Sequence, residues 1–249
     1  MIQQCIEIAK EAGKVILEVY ASGNVEAQYK SDKSPVTEAD LKANEVITSG
    51  LKKISTIPVV SEESFDPEFS RESLDRYWLI DPLDGTKEFL KRTDDFTVNI
   101  ALIEGKKSVL GVVHAPVHDL TYWASKGKGA FRDGEKIANQ RQDGDMVAVA
   151  SRSHLDEKTQ KFLDENKIEN LSRIGSSLKI CKVADGGADM YPRFGPTSEW
   201  DTAAGHIIAE EGGCEVLSLP SLEPLVYSKP SILNPEFIVM RRGLNLTFH

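Results

Sequence analysis

Five short runs rich in β-branched and aromatic residues follow one another between residues 76 and 134: RYWLID, FTVNIALIEG, SVLGVVHAPV, LTYWASKG and GAFRDG. Runs of this length with only a few turn residues between them predict neighbouring strands of one antiparallel or mixed sheet. A sheet of that width needs cover on its faces, and the flanking sequence offers helices. Residues 2–20 place Ile2, Cys5, Ile6, Ala9, Ala12, Gly13, Ile16 and Val19 at spacings of three and four, the apolar stripe of an amphipathic helix. A second helix is predicted after SDKSPVTEAD, with Thr37 as N-cap, Asp40 in its first turn, and Ala43, Val46, Ile47, Leu51 and Ile54 on one face. The polar stretch ANQRQDGD, residues 138–145, precedes a new strand, MVAVAS, and marks a boundary between an N-terminal half, 1–138, and a C-terminal half, 139–249. Beyond it strand and helix patterns alternate. The pattern as a whole predicts an α/β sandwich of several layers.

The 249 residues suffice for a sizeable core, and 40% hydrophobic with 28% charged residues is the balance of a globular chain. No apolar run is long enough to span a bilayer. The start, MIQQCIEIAKEAGKVILEVY, lacks the basic opening and small-residue cleavage site of a signal peptide, so the expected location is the cytoplasm, with room left for peripheral association with the inner membrane. Cys5, Cys181 and Cys214 are far apart and odd in number, which argues against disulfides and thiolate metal sites. A net charge of −9 without a basic stripe argues against nucleic-acid polymers as partners. A polyanionic small molecule can still bind where cations supply the missing charge. Oligomeric state is not readable.

The segment WLIDPLDGTKEF, residues 78–89, ends a strand with two aspartates three positions apart. DPLDG is a good turn in its own right, since Pro82 fixes φ, Asp caps its own backbone and Gly85 tolerates positive φ. It is equally a good cation site. Two carboxylates held together drive one to protonate unless a cation intervenes, and hard oxygen donors favour Mg²⁺, Mn²⁺ or Ca²⁺ over zinc. Pro82 stiffens the turn so that the Leu83 carbonyl can face the same ion, while Gly85 and Thr86 would open a helical turn whose free N–H groups suit a phosphate. Glu62 and Glu63 in VVSEES lie just beyond a short strand. Asp201 in SEWDTAAGH starts a helix, where an N-cap role explains it alone, as an N3 role explains Asp40.

Taken in order, SEES, WLIDPLDGT and WDTAAG resemble the inositol monophosphatase superfamily of Mg²⁺-dependent, lithium-sensitive phosphatases. Within it, DPLDGTKEF, ASRSH, GSSLK and YPRFGPTSEWDTAAGH are similar to CysQ-type 3′(2′),5′-bisphosphate nucleotidases, which convert adenosine 3′,5′-bisphosphate to AMP and phosphate. The resemblance implies a multilayer αβαβα sandwich with the metal site between two halves. It implies two or three Mg²⁺ ions held by Glu62, Asp81, the Leu83 carbonyl, Asp84 and Asp201, with Glu62 chosen over Glu63 on the family pattern. It assigns Asp40 and Thr86 to polarising the attacking water. Ser61 stands where inositol monophosphatases usually carry glycine, a departure in backbone shape rather than ligation.

Substrate contacts are implied for Gly85 and Thr86, for Ser151 and His154 of ASRSH, for Ser177 and Lys179 of GSSLK, and for Tyr191 and Arg193 of MYPRFG. Lys179 and Arg193 suit a second phosphate. Read without the resemblance, His154 and Lys179 are ordinary solvated side chains, and His114, His118 and His206 show no ligand spacing and read as structural. The competing enzyme reading, an inositol monophosphatase or another sugar-phosphate phosphatase, would carry DGTTNF where this chain has DGTKEF. A catalytically silent metal- and phosphate-binding regulator is the reading from another class, and the intact acidic positions and Thr86 count against it.

Overall fold

The computed structural model describes residues 1–23, 27–29, 35–142, 144–152 and 155–248. Two helices open it, α1 (Ile2–Ser22) and α2 (Glu38–Ile54), separated by a short hairpin of β1 (Gln28–Tyr29) and β2 (Pro35–Val36). The seven strands that follow form one sheet: β3 (Val59–Ser61), β4 (Arg76–Asp84), β5 (Thr97–Glu104), β6 (Lys107–Ala115), β7 (Leu120–Ser125), β8 (Gly129–Arg132) and β9 (Glu135–Ile137), in sequence order across the sheet. β3 runs parallel to β4, and every other pairing is antiparallel. The short helix α3 (Thr86–Lys91) sits between β4 and β5.

The second sheet has five strands in the order β11 (Asn170–Arg173), β10 (Val147–Ala150), β12 (Met190–Arg193), β14 (Phe237–Arg241), β13 (Cys214–Ser218). Three helices accompany it: α4 (Glu157–Glu165), α5 (Leu178–Ala184) and α6 (Glu199–Glu211).

Burial resolves the layers. Cys5, Ile6, Ala9, Ala12, Ile16 and Val19 of α1 and Ala43, Ile47 and Leu51 of α2 close on Trp78, Ile80, Ile100 and Val112, one face of the first sheet. The opposite face, with Tyr77, Leu79, Ala101 and Val113, packs through α5 and α6 onto Val149, Tyr191, Val216 and Val239 of the second sheet. The outer face of that sheet, Ala148, Met190, Ile238 and Met240, is covered by Phe162 and Leu163 of α4. Helix, sheet, helix, sheet and helix therefore stack in the expected αβαβα order. The alternation of buried faces along each strand follows from the two-residue period of β-structure.

The α6 helix is enclosed on nearly all sides. Trp200, Ala203, Ala204, Ile207, Ile208 and Ala209 are all buried, which its small alanines permit between two sheets. All three cysteines are buried and free, and desolvation pushes the Cys5 and Cys214 thiols up to about 12. No helix among the described residues is long and apolar enough to cross a membrane.

Candidate active site

β4 carries the first components. Its register with β5 runs Asp81 opposite Asn99 and then Asp84 opposite Thr97, with an irregularity between Asp81 and Asp84. Pro82 has no N–H to give to the ladder, so the strand breaks its pairing there. The Leu83 N–H instead donates to Asp81 Oδ1 at 3.1 Å, the local aspartate turn that DPLD favours. Gly85 follows in the left-handed region at φ 95° and caps α3, where a side chain would be strained.

Thr86, the first residue of α3, places its hydroxyl 3.1 Å from Asp40 Oδ1 and 3.3 Å from the Leu83 carbonyl oxygen. Asp40 is held on its other oxygen, Oδ2, by the Thr37 N–H at 2.7 Å and the Thr37 hydroxyl at 2.6 Å. Thr37 and Asp40 are the N-cap and N3 of a capping box on α2, as the sequence predicts. Burial raises the Asp40 carboxyl above its ordinary value, opposed by the Thr37 and Thr86 hydrogen bonds.

Asp84 reaches across the molecule. Its Oδ2 accepts the Ser177 N–H at 2.6 Å, the Ser177 hydroxyl lies 2.5 Å from the same oxygen, and Asn99 Nδ2 donates at 3.2 Å. Thr97 Oγ1 stands 3.5 Å away. The Ser177 hydroxyl is also within 2.8 Å of the Asp201 carbonyl, so this one residue ties β4 to both α5 and α6. Asp201 itself is the N3 residue of α6, with its Oδ2 accepting the Ser198 N–H at 2.8 Å in a second capping box. The N-cap role considered for Asp201 belongs to Ser198, three residues earlier.

Glu62 opens a 3₁₀ turn, Glu62–Ser64, directly after β3. Ser61 caps that turn through the Glu63 N–H at 3.3 Å and donates its hydroxyl to Asn44 Oδ1 at 2.7 Å. Serine here fastens the turn to α2, a bond glycine could not make.

Glu62, Asp81, Leu83, Asp84, Gly85, Thr86 and Asp201 line one cavity of about 380 Å³. Burial, then the charges of Glu62, Asp84, Asp201 and Glu63, hold the Asp81 carboxyl well above the ordinary range. Asp201 is pushed up to about 8, by burial first and then by Asp84 and Glu62, against the Ser198 N–H and Arg193. These carboxylates thus share a site short of positive charge, and their hard oxygens suit a divalent cation of the Mg²⁺ kind. Among the described residues, however, no three acidic, His or Cys side chains are grouped closely enough to hold one ion. Asp84 and Asp201 each spend one oxygen on a protein donor.

An adjoining cavity of about 410 Å³ shares Asp84, Gly85, Lys87, Glu88, Thr197 and Asp201 with the first, and adds Ser151, Ser177, Lys179, Tyr191 and Arg193. Lys179 is buried, with Nζ on the Ser176 carbonyl at 2.6 Å and 5.5 Å from the centre of the Tyr191 ring. Burial, and secondarily Arg193, lowers it to about 8, with Asp84, Glu88 and Asp201 opposing. Arg193 donates from Nη2 to the Pro196 carbonyl at 3.1 Å, while its Nε is buried without a hydrogen-bond partner. Tyr191 is a buried wall, edge-on to Phe237. His154 lies outside the described residues.

Of the remaining histidines, His114 faces the Thr121 hydroxyl and His206 the Tyr227 hydroxyl, structural partners both. Sequence reading passed over Thr97 and Asn99, the supports of Asp84. The signal was there: they are polar residues two apart, and therefore on one face, at the start of a strand that is apolar from Ile100 to Ile103.

The model of the inositol monophosphatase family matches residues 1–243. The 3′(2′),5′-bisphosphate nucleotidase CysQ of Salmonella typhimurium is 46% identical over 244 residues, covering 96% of this chain and 99% of the relative. The protein of the same name from Escherichia coli K12 is 45% identical over 245 residues, with the same coverage. Among solved structures, CysQ from Bacteroides thetaiotaomicron, a bacterial member of the inositol monophosphatase family, superposes with a TM-score of 0.86 at 40% identity, covering 98% of this chain and 97% of its own. The Thermotoga maritima IMPase gives a TM-score of 0.79 at 29% identity, covering 94% and 89%. A layered fold shared with these structures and a family match over nearly the whole chain lead to one conclusion: this chain belongs to the inositol monophosphatase family.

Proposed function

We propose that the chain is a 3′(2′),5′-bisphosphate nucleotidase, a cytoplasmic phosphomonoesterase that converts adenosine 3′,5′-bisphosphate to AMP and phosphate with Mg²⁺. The observation that carries the reading is the junction of the two cavities, an acid-lined one beside Thr86 and one with Lys179 and Arg193, sharing Asp84 and Asp201. A ligand with phosphates at both ends of a ribose would match that pair. The near full-length identity to nucleotidases named CysQ supports the same substrate.

In this reading Glu62, Asp81, Asp84, Asp201 and the Leu83 carbonyl would hold two or three Mg²⁺. Bound there, the ions supply positive charge to the phosphoryl oxygens and acidify the attacking water. Residues 1–138 contribute all of these ligands except Asp201.

The chain's own groups do the rest. Thr86 Oγ1, donating to Asp40 or to the Leu83 carbonyl, keeps its lone pairs for the hydrogen of a water lying in the acid-lined cavity. As that water attacks phosphorus and the bond to the ribose 3′-oxygen breaks, its proton passes to the Thr86 hydroxyl and the Thr86 proton to Asp40, whose burial-raised proton affinity suits a general base, while the leaving oxygen takes a proton from solvent water. On the far side Arg193 and Lys179 face the phosphate that is not cleaved. The partner is a small nucleotide rather than a nucleic-acid polymer.

The test is phosphate release with Mg²⁺ from adenosine 3′,5′-bisphosphate, inositol 1-phosphate and fructose 1,6-bisphosphate. A kcat/KM highest for the nucleotide is expected, and a clear preference for inositol 1-phosphate would overturn the assignment.

A further inference from the structure

Asp95 lies between α3 and β5, outside every residue assigned so far, and its side chain is only 5% exposed. It is fixed from behind. Phe96, its neighbour, is fully buried and packs edge-on against Phe89 and Tyr20, so the Asp95 backbone stands on the core between the first sheet and α1. From that post the carboxylate points into the other half of the chain. Its Oδ2 accepts the Gly175 N–H at 3.0 Å and pairs with Arg152 Nη2 at 2.7 Å, and His118 Nε2 stands 4.0 Å from Oδ1.

Arg152 and Gly175 each flank a segment that lines the second cavity. Arg152 follows Ser151, and Gly175 leads into Ser176, Ser177 and Lys179. The fit at Gly175 is tight. A Cβ there would come within 2.7 Å of both the Asp95 Cβ and carbonyl oxygen, and 2.9 Å from the Glu88 Cγ. Glycine is what allows the chain to reach this carboxylate.

Resting on the functional reading above, we infer that Asp95 is a positioning residue that sets both substrate-side segments, 151–152 and 175–177, against the acid-lined cavity. The two bonds differ in weight. Arg152 is 47% exposed, so its ion pair is screened and weak. The Gly175 N–H bond is buried and charge-assisted, and its loss leaves a buried donor unpaired. The acid-lined cavity keeps Thr37 on Asp40, Ser198 on Asp201 and Asn99 on Asp84, and of its anchors only the Ser177 bonds to Asp84 come from the segment that Asp95 holds. Loss of Asp95 therefore loosens the grip on the remote part of the substrate more than the reacting end.

The test measures kcat and KM for adenosine 3′,5′-bisphosphate together with amide hydrogen exchange across residues 174–180. Asp95→Ala is expected to raise KM about tenfold or more, lower kcat by less than about threefold, and speed exchange in that segment. Asp95→Asn, which keeps an acceptor for Gly175, should stay within about threefold of wild type in KM, as should Arg152→Ala. A role in stability alone would lower the melting temperature and leave KM unmoved, and that result overturns the inference, as does exchange at the wild-type rate. Should Asp95→Ala not fold, Gly175→Ala reads the contact from the other side: its methyl must push the segment off Asp95, and a wild-type KM there overturns the inference too. A wild type inactive on the nucleotide would sink the functional reading instead, with the exchange measurement still deciding whether Asp95 anchors the segment.

Discussion

The Ser177 N–H donates to Asp84 Oδ2 at 2.6 Å, joining the end of β4 to the start of α5 across 93 residues of sequence. A carboxylate assigned to cation binding is thus oriented by the segment assigned to the nucleotide. Asp84, which lines both cavities, carries this link on one oxygen atom.

Asp84→Asn tests the cation assignment. An asparagine can still accept from Ser177, so the fold should survive, while the charge raising Asp81 and Asp201 disappears. Turnover is expected to fall below detection. Mg²⁺ should raise the melting temperature of wild type, as any ligand of the native state does, and raise that of the variant far less. Near-normal activity of the variant at limiting Mg²⁺ would remove Asp84 from the ligand set.

Thr86→Ala removes the hydroxyl between Asp40 and the cavity and leaves both Thr37 bonds to Asp40 in place. kcat should drop by about a hundredfold or more with KM little changed, the pattern of a group used in the transition state. Thr86→Ser should recover most of it. An unchanged kcat would place water activation elsewhere.

The two halves of the site differ in how readable they were. Asp81, Asp84 and Thr86 stand close together because of a proline-broken strand and the turn after it, and Asp40 is oriented by a capping box, local rules visible in short stretches of sequence; the contact of Asp40 with Thr86, 46 residues on, is tertiary packing. That the chain forms a sandwich of several α and β layers was legible for the same reason, from periodicity and turn residues, whereas the αβαβα order came from the family resemblance. Lys179 was not: its spacing suits a solvated helix residue, and only the packing of α5 between the sheets buries its stem and turns Nζ to Ser176. The order β11-β10-β12-β14-β13 was likewise hidden, since β14 returns from the end of the chain to pair with β12, a contact no local pattern encodes.

Arg193→Ala separates the substrate readings. In the proposed reading Arg193, whose buried Nε lacks a hydrogen-bond partner, is the contact to the remote phosphate. A charge-assisted contact to the remote phosphate is worth roughly 1.5 to 3 kcal/mol, or about ten- to a hundredfold in kcat/KM. Adenosine 3′,5′-bisphosphate should suffer that loss and 3′-AMP should not. Equal losses on both would remove Arg193 as the 5′-phosphate contact.

His114 gives a pH signature of stability. Burial, and then Lys10, lowers its pKa below 6.5, with Asp119 and Asp133 opposing. Below pH 6.5 the unfolded chain takes a proton on this residue and the folded one resists, so His114 costs stability progressively as pH falls from about 7, by at most about 1.4 kcal/mol per pH unit. The buried aspartates of the site, with raised pKa values, act in the opposite sense, so the difference between wild type and His114→Gln isolates the residue. In urea unfolding the variant should gain on wild type between pH 7 and pH 5. A constant difference across that range would show that His114 titrates alike folded and unfolded.

The two capping boxes have a consequence for how this scaffold can change over generations. Asp40 and Asp201 each hold the first turn of a helix besides their assigned part in chemistry, so replacing either would cost helix stability, typically about 1 kcal/mol for a lost cap, as well as rate. Thr86 caps nothing, and its hydroxyl can be lost with the helix ends intact. A lineage released from selection for turnover but still held to a folded shape would be free to change Thr86 first and would keep both aspartates longest. Retained aspartates in a distant relative would then testify to folding, and the residue at position 86 would be the one to consult about catalysis.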